Sequence, residues 1–250
     1  MIIVKKKKKF IRLEEVYYCE DHNKYKTDAD IVLFYQSSKP YKDCKHFNTL
    51  HIDITLDEDT LFHNVEKSTR QQINRSAKDD VTFKVIDDPT IDDINEFVKF
   101  YNLFAESKNL HSTTSERLIH LKEVKAFAIT CALDSAGKAL CYHTYAYDKN
   151  RARILQSASH YHLFEDSALR SLVGRANRRL HWIDMLEFKK RGIALYDFGG
   201  LALPKEDEHL KNVDHLKLGY GGQKVTEYNF YKGTSVLGKL ILALTGKKAT

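Results

Sequence analysis

Three strand-like runs lie in succession between residues 126 and 161: AFAITCAL, KALCYHTYAYD and ARILQSASHY. The connections DSAGK and KNR are too short for anything but hairpin turns, so the runs must form an antiparallel meander. Behind it comes GRANRRLHWIDMLEFKKRG, a bounded helical segment. Asn177 is its N-cap by residue type, and Leu180, Ile183 and Leu186 make an apolar stripe. Lys189, Lys190 and Arg191 fill the last turn and Gly192 ends it. IALYDF then reads as a buried strand and KVTEYNFY as another, with an irregular loop between them. Meander, helix and further strands call for an α/β chain with a mixed sheet and helices packed on its faces.

Upstream, residues 31–35, 50–54 and 81–86 carry the β-branched and aromatic composition of short strands. Residues 57–80 read as one helical stretch, with Leu61, Val65, Ile73 and Ala77 at helical spacing. Arg70 and Arg75 lie on different sides of it and suit solubility or contact with an extended anion. A second helix opens at Thr90, an N-cap followed by acidic residues, and its stripe is Ile94, Phe97, Val98, Tyr101 and Phe104. The expected organisation is a partial α/β unit over 1–89 and a larger domain over 90–250.

Composition narrows the class. With 42% apolar and 30% charged residues, the chain is that of a globular protein able to bury a sizeable core. No apolar run approaches the roughly 20 residues of a membrane-spanning helix. The start, MIIVKKKKKF, lacks the order of a secretory signal, and Lys5–Lys9 read as a solvated or strand-edge segment. Cys19, Cys44, Cys131 and Cys141 have no metal-type spacing, so reduced thiols, a cytoplasmic location and no metal are expected. A net charge of +6 favours anionic partners in general: nucleic acid, phosphorylated small molecules or an acidic membrane.

Chemistry concentrates in YDFGGLALPKEDEHLKNVDHLKLGYGG, residues 196–222, where glycine pairs follow aromatic residues at both ends of a polar loop. Bare backbone there serves either tight turns or close approach to another group. Asp197 ends a buried strand and Lys217 lies in the returning loop. Tyr196, Phe198 and Tyr220 flank them, so acid, cation and bare backbone converge at a strand end.

GIALYDFGG and HLKLGYGG together resemble the terminal signature of the Fem-type aminoacyltransferases. These enzymes attach amino acids to the peptidoglycan stem peptide and are built from GNAT-like acyltransferase folds. STRQQINRSAKDDVTFKVI, DINEFVKFYNLFAESKNL, ILQSASHY and the tryptophan-bearing helix are similar to further pieces of that family in the same order, over roughly residues 60–232. The resemblance implies a GNAT-like domain, with too little chain before residue 90 for a full second unit. It implies an acyl donor, either aminoacyl-tRNA, as in the Fem family, or acyl-coenzyme A, as in broader GNAT relatives. The matching donor turn is LVGRANRR, where Gly174, Arg175, Asn177 and Arg178 at a helix start could hold a phosphate. A solvated basic first turn is the alternative.

Acyl transfer to an amine requires a neutral nucleophile, stabilisation of the carbonyl oxygen as it becomes negative, and alignment of the two. Lys217 is the candidate cation, or else a surface lysine. Asp197 either orients the amine or caps the turn at Gly199, and His160 is a candidate general base. His143, in mid-strand, reads as packed. Tyr196, Phe198, Gly199, Gly200 and Tyr220 are the candidate acceptor surface. The expected function is transfer of an acetyl or aminoacyl group to an amine of a cell-envelope precursor, an amino sugar nucleotide or a peptidoglycan-type peptide. The alternative is a non-catalytic GNAT-like module that binds RNA or an acidic polymer. Residues 236–248 follow helical spacing and suit docking on the body or peripheral contact with the inner face of a membrane.

Overall fold

The five-lysine run belongs to an edge hairpin. β1 (Ile2–Lys8) pairs antiparallel with β2 (Ile11–Tyr17), from Ile2 opposite Tyr17 to Lys8 opposite Ile11. Ile2 and Val4 point inward while Lys5 and Lys7 stay exposed, the alternation of a half-buried strand. The computed structural model describes residues 1–161, 164–201 and 208–246.

This hairpin opens the first of two compact units, which comprises Met1–Leu50, Gly200–Lys205 and Lys224–Thr250. β2 runs parallel to β3 (Ile31–Ser37), and β3 pairs antiparallel with β10 (Gln223–Gly233), which neighbours β4 (Lys45–Asp53). Phe34 and Phe230 stack at 4.9 Å in a core shared with Val16, Cys19, Ala29 and Val32. α7 (Val236–Thr245) follows β10.

The second unit, His51–Gly199 with Glu206–Gln223, holds the meander. β5 (Thr82–Ile86), β6 (Phe127–Leu133), β7 (Ala139–Tyr147) and β8 (Arg151–Ser159) pair antiparallel in that order. β9 (Leu195–Gly200) then adds to β8 in parallel. β6 and β7 are almost wholly buried because helices cover both faces. Alternation along β7 sorts its side chains. Tyr142 packs on Phe97 and Phe100 of α3 (Ile91–Ser107), whereas Cys141, His143 and Tyr145 face α5 (Ser167–Lys190). α3 starts as its sequence indicates: Thr90 and Asp93 form a reciprocal capping box. α4 (Ser115–Glu123) packs beside α3, with Leu118 and Leu121 buried.

Three local expectations change. Residues 57–80 form two helices, α1 (Glu58–Asn64) and α2 (Lys67–Ser76), because Val65 and Glu66 are extended. Arg70 donates to the carbonyls of His63 and Val65 at that break, so it closes the end of α1 rather than serving solubility. Residues 201–222 are not wholly a loop, since α6 (Glu208–Leu218) lies within them. The expected division at 89/90 falls inside the second unit, between β5 and α3. Residues 1–50 are completed instead by β10 returning from the far end of the chain.

Candidate active site

β8 and β9 pair over three residues only, Arg151 with Leu195, Ala152 with Tyr196 and Arg153 with Asp197. Beyond that β8 continues to Ser159 beside β7 while β9 runs out at Gly200, so the parallel strands part. A crevice at the carboxyl ends of parallel strands is where open α/β sheets take ligands.

Asp197 stands where the strands separate and is fully buried. Its Oδ1 accepts the Gly199 N–H at 2.8 Å, and its Oδ2 accepts Arg151 Nε at 3.0 Å and Arg151 Nη2 as well. Arg151 also donates to His51 Nε2 at 2.9 Å. A carboxylate pinned by a buried guanidinium and a turn N–H is an anchor and is poorly placed to take a proton. Gly199 has φ +70°, and a Cβ there would lie 2.9 Å from the Ile154 carbonyl oxygen. Only glycine lets the strand bend so close to β8. Gly222, at φ +94°, is pressed in the same way against the His51 carbonyl. Both glycine clusters therefore serve tight turns and close backbone approach, with the Gly199 N–H already taken. Gly200 is exposed at the end of β9.

Lys217 lies in the last turn of α6, not in a loop. It is partly exposed overall, but burial pulls its pKa down to about 8, against the opposing attraction of Asp214 and Asp197. Arg153 pushes in the same direction as burial. The ammonium thus feels both partners of the last β8–β9 pair, Arg153 and Asp197.

The aromatic residues do not form an acceptor surface. Tyr196 and Phe198 project from β9 onto α5, and together with Tyr220 they are at most 1% exposed. A hydrogen-bonded line crosses this core. The His181 Nδ1–H meets the Tyr196 hydroxyl at 3.2 Å, Tyr196 meets Tyr145 at 2.7 Å, and Tyr145 donates to Asp184 at 2.6 Å. His143 Nδ1 donates to the same Asp184 oxygen at 2.7 Å, and its Nε2 meets Asn177 Oδ1 at 2.9 Å. Burial holds His181 neutral, well below the usual histidine range. His143, His181 and Asp184 bring ligand atoms within 4.8 Å of one another, the spacing of a metal group, with hydrogen bonds already engaging His143 Nδ1, His181 Nδ1 and Asp184 Oδ2. Tyr220 donates to the Arg178 carbonyl at 2.6 Å. It also lines a largely apolar cavity of about 300 Å³ with Leu56, Leu61, Trp182 and Met185.

The helix start expected at Asn177 is displaced. α5 begins at Ser167, with Asp166 as N-cap accepting the Ala168 N–H at 2.7 Å. Gly174, Arg175, Asn177 and Arg178 therefore lie inside a helix whose N–H groups bond internally, and none can offer a terminal N–H to a phosphate. The side chains still gather at one place. Gly174, Arg175 and Arg178 line a cavity of about 520 Å³ with Arg170, Ser68, Gln72 and His215, between α2, α5 and α6. Arg175 forks onto Asp79 at 2.8 and 2.9 Å, and Arg178 donates to the Gly174 carbonyl at 3.0 Å. Arg170 has no acidic partner among the described residues. Asn177 faces the opposite way, onto His143.

His160 is remote from both places. It sits just past the end of β8, roughly 20 Å along the strand from Arg153. Its ring stacks on Phe100 at 3.5 Å, and Nε2 meets the Phe100 carbonyl at 3.1 Å. That is a packing role on α3.

Sequence reasoning passed over Arg151 and Arg153. Their alternate positions in a strand with apolar neighbours were the available signal, since an arginine buried there, as Arg151 is, needs a carboxylate. Arg170 was missed because the first turns of α5 were not read as helix.

No protein-family model matches the sequence, and no curated protein matches it. Solved structures do. FemX superposes with a TM-score of 0.60 at 12% identity, over 83% of this chain and 66% of that one. The chain has a Fem-like fold. The C-terminal domain of a putative lysylphosphatidylglycerol synthetase from Agrobacterium fabrum matches with TM-score 0.56 and 15% identity, over 98% of this chain and 84% of that one. L-PGS from Bacillus licheniformis gives 0.51 and 13%, over 88% and 73%. At such identities the shared property is the fold, and the chain spans just under two thirds of FemX.

Proposed function

We propose that the protein is an N-acyltransferase that moves an aminoacyl or acetyl group onto an amine of an anionic cell-envelope precursor, an amino sugar nucleotide or a peptidoglycan-type peptide. The observation that carries this reading is the Lys217 ammonium beside Arg153 and Asp197, where β8 and β9 part in a Fem-like fold. In the reaction a neutral amine attacks the acyl carbonyl and a C–N bond forms. The ester or thioester bond to the donor breaks, and the proton lost by the amine leaves with the donor's oxygen or sulfur. Lys217 stabilises the carbonyl oxygen as it becomes negative, and the Asp197–Arg151 pair holds the strand end against which the reactants align.

The cavity bearing Arg170, Arg175 and Arg178 suits the phosphates of the donor. Coenzyme A and the acceptor end of a tRNA both supply such phosphates. The net charge of +6 favours either, and favours an anionic acceptor. Among the described residues no helix is long and apolar enough to cross a membrane.

The deciding experiment offers the purified protein two donors, acetyl-coenzyme A and bulk aminoacyl-tRNA. Each is paired with a nucleotide-linked amino sugar and with a nucleotide-linked stem peptide, and the acceptors are weighed by mass spectrometry. One donor should add a single acyl group to one acceptor. Lys217→Met should slow that transfer by a factor on the order of 100 or more with thermal stability retained. Absence of transfer from either donor, or full activity in Lys217→Met, overturns the reading.

A further inference from the structure

α7 is a helix with two apolar faces, only one of which is packed. Gly238 is its buried residue, so close to the Asp30 carbonyl that no Cβ fits, and Ile241 and Leu242 line a groove with Leu13, Ile31 and Tyr231. The remaining apolar residues look outward. Val236 is 85% exposed, Leu240 55%, Leu244 78% and Leu237 37%. At 100° per residue these four fall within about a third of the helix circumference, with Ala243 on one edge and Lys239 beyond it. Four large apolar side chains in one exposed stripe are far more than a surface helix needs for packing.

Charge in the same unit says what covers the stripe. Lys6 lines the groove that holds Ile241 and Leu242, which places β1 alongside α7. The β1–β2 hairpin ends in Lys7, Lys8 and Lys9, which have no acidic partner among the described residues, and then Phe10, 70% exposed at the turn. Lys5 and Lys6 are answered by Glu14 and Glu15. The unit contains 17 lysines and arginines against 8 acidic residues, whereas the other unit holds 23 against 26. The chain's whole positive excess thus resides in the unit that exposes the apolar helix. A nucleic acid would answer the lysines and leave Val236, Leu240, Leu244 and Phe10 in water. A bilayer with anionic headgroups answers both.

We propose that this unit docks on anionic membrane surfaces, with the outer face of α7 and Phe10 entering the headgroup boundary and Lys7–Lys9 and Lys239 contacting lipid phosphates. At 10 residues α7 is too short to span a bilayer and suits an in-plane position. Binding should be reversible and salt-sensitive, because each surface lysine contributes little by itself and its attraction is screened within a Debye length.

The test is co-flotation of the full chain with vesicles of phosphatidylcholine alone and of equal parts phosphatidylcholine and phosphatidylglycerol. The chain should float only with the anionic vesicles and be released by high salt. Leu240→Glu with Leu244→Glu, and separately Lys7→Glu with Lys8→Glu and Lys9→Glu, should each lower the partition coefficient by roughly a hundredfold. All these positions are exposed, and circular dichroism checks that both variants remain folded. Failure to float with any vesicle overturns the proposal. So does equal flotation with both lipids, or anionic binding that survives the leucine changes, which would mark a purely electrostatic site such as one for nucleic acid. A self-association seen by sedimentation that the leucine changes abolish, with no flotation, would assign the helix face to a second copy and likewise overturn it.

Discussion

Lys217 and Asp197 are neighbours with opposite electrostatic situations, and their variants should separate chemistry from architecture. The lysine's pKa of about 8 is set mainly by burial, so a modest rise in pH discharges it. If the charged form stabilises the transition state, the rate should climb with pH while the acceptor amine loses its proton. It should then fall as pH passes about 8. Lys217→Arg should move the falling limb out of the accessible range, because a guanidinium keeps its proton. A profile identical in the two proteins would remove Lys217 from the reaction. Asp197 is different, because its partner is the buried Arg151. Asp197→Asn leaves that guanidinium uncompensated, and unfolding experiments should show a loss of about 3–5 kcal/mol. A variant that is inactive but equally stable would instead make Asp197 a participant in the chemistry. The residue types were legible in the sequence. What was not legible was the occupancy of Asp197, since its guanidinium partner is 46 positions away on another strand.

At the scale of elements, legibility followed local signals. The meander, the Thr90 N-cap and the helix over 180–190 could all be read because turn length, cap chemistry and periodicity act within a few residues. The start of α5 could not. Asn177 has the character of an N-cap, yet its side chain is used on His143, and Gly174 interrupts the helical pattern upstream. Gly174 supports no special backbone: a Cβ there would meet nothing closer than the end of the Arg178 side chain at 3.6 Å. Gly174→Ala should therefore stabilise the protein by about 0.5–1 kcal/mol, the usual gain in a helix interior. Urea unfolding of the two proteins measures it directly. A glycine required for donor contact would instead yield a variant with weakened donor binding and no gain in stability. The split of residues 57–80 has a similar origin, since periodicity continues across Val65 while the backbone does not, and Arg70 closes the break.

The whole molecule is organised by pairings that no local signal carries. β10 begins at residue 223, yet it lies between β3 and β4 and completes the sheet of residues 1–50. A division near residue 90 is the natural reading when neighbouring segments are assumed to pack together, and a closure of this range leaves no local signal in the sequence. The closure is held by specific contacts. Phe230 fills the core beside Phe34, Asn229 Oδ1 accepts the Gln36 backbone N–H at 2.8 Å, and Glu227 accepts from the Gln36 side chain at 2.7 Å. Each joins parts of the chain more than 190 residues apart, so the first unit cannot finish folding until the last strand exists. Ending the chain after Gly222 should strip β3 of its antiparallel partner and leave Phe34 without its stacked ring. Backbone amides over 31–37, protected in the full chain, should then exchange within the dead time of a hydrogen-exchange experiment. Ending it after Gly233 removes α7 and keeps β10, and most of that protection should return. If the shorter chain kept β3 protected, the first three strands would be a self-sufficient sheet and β10 an addition to it.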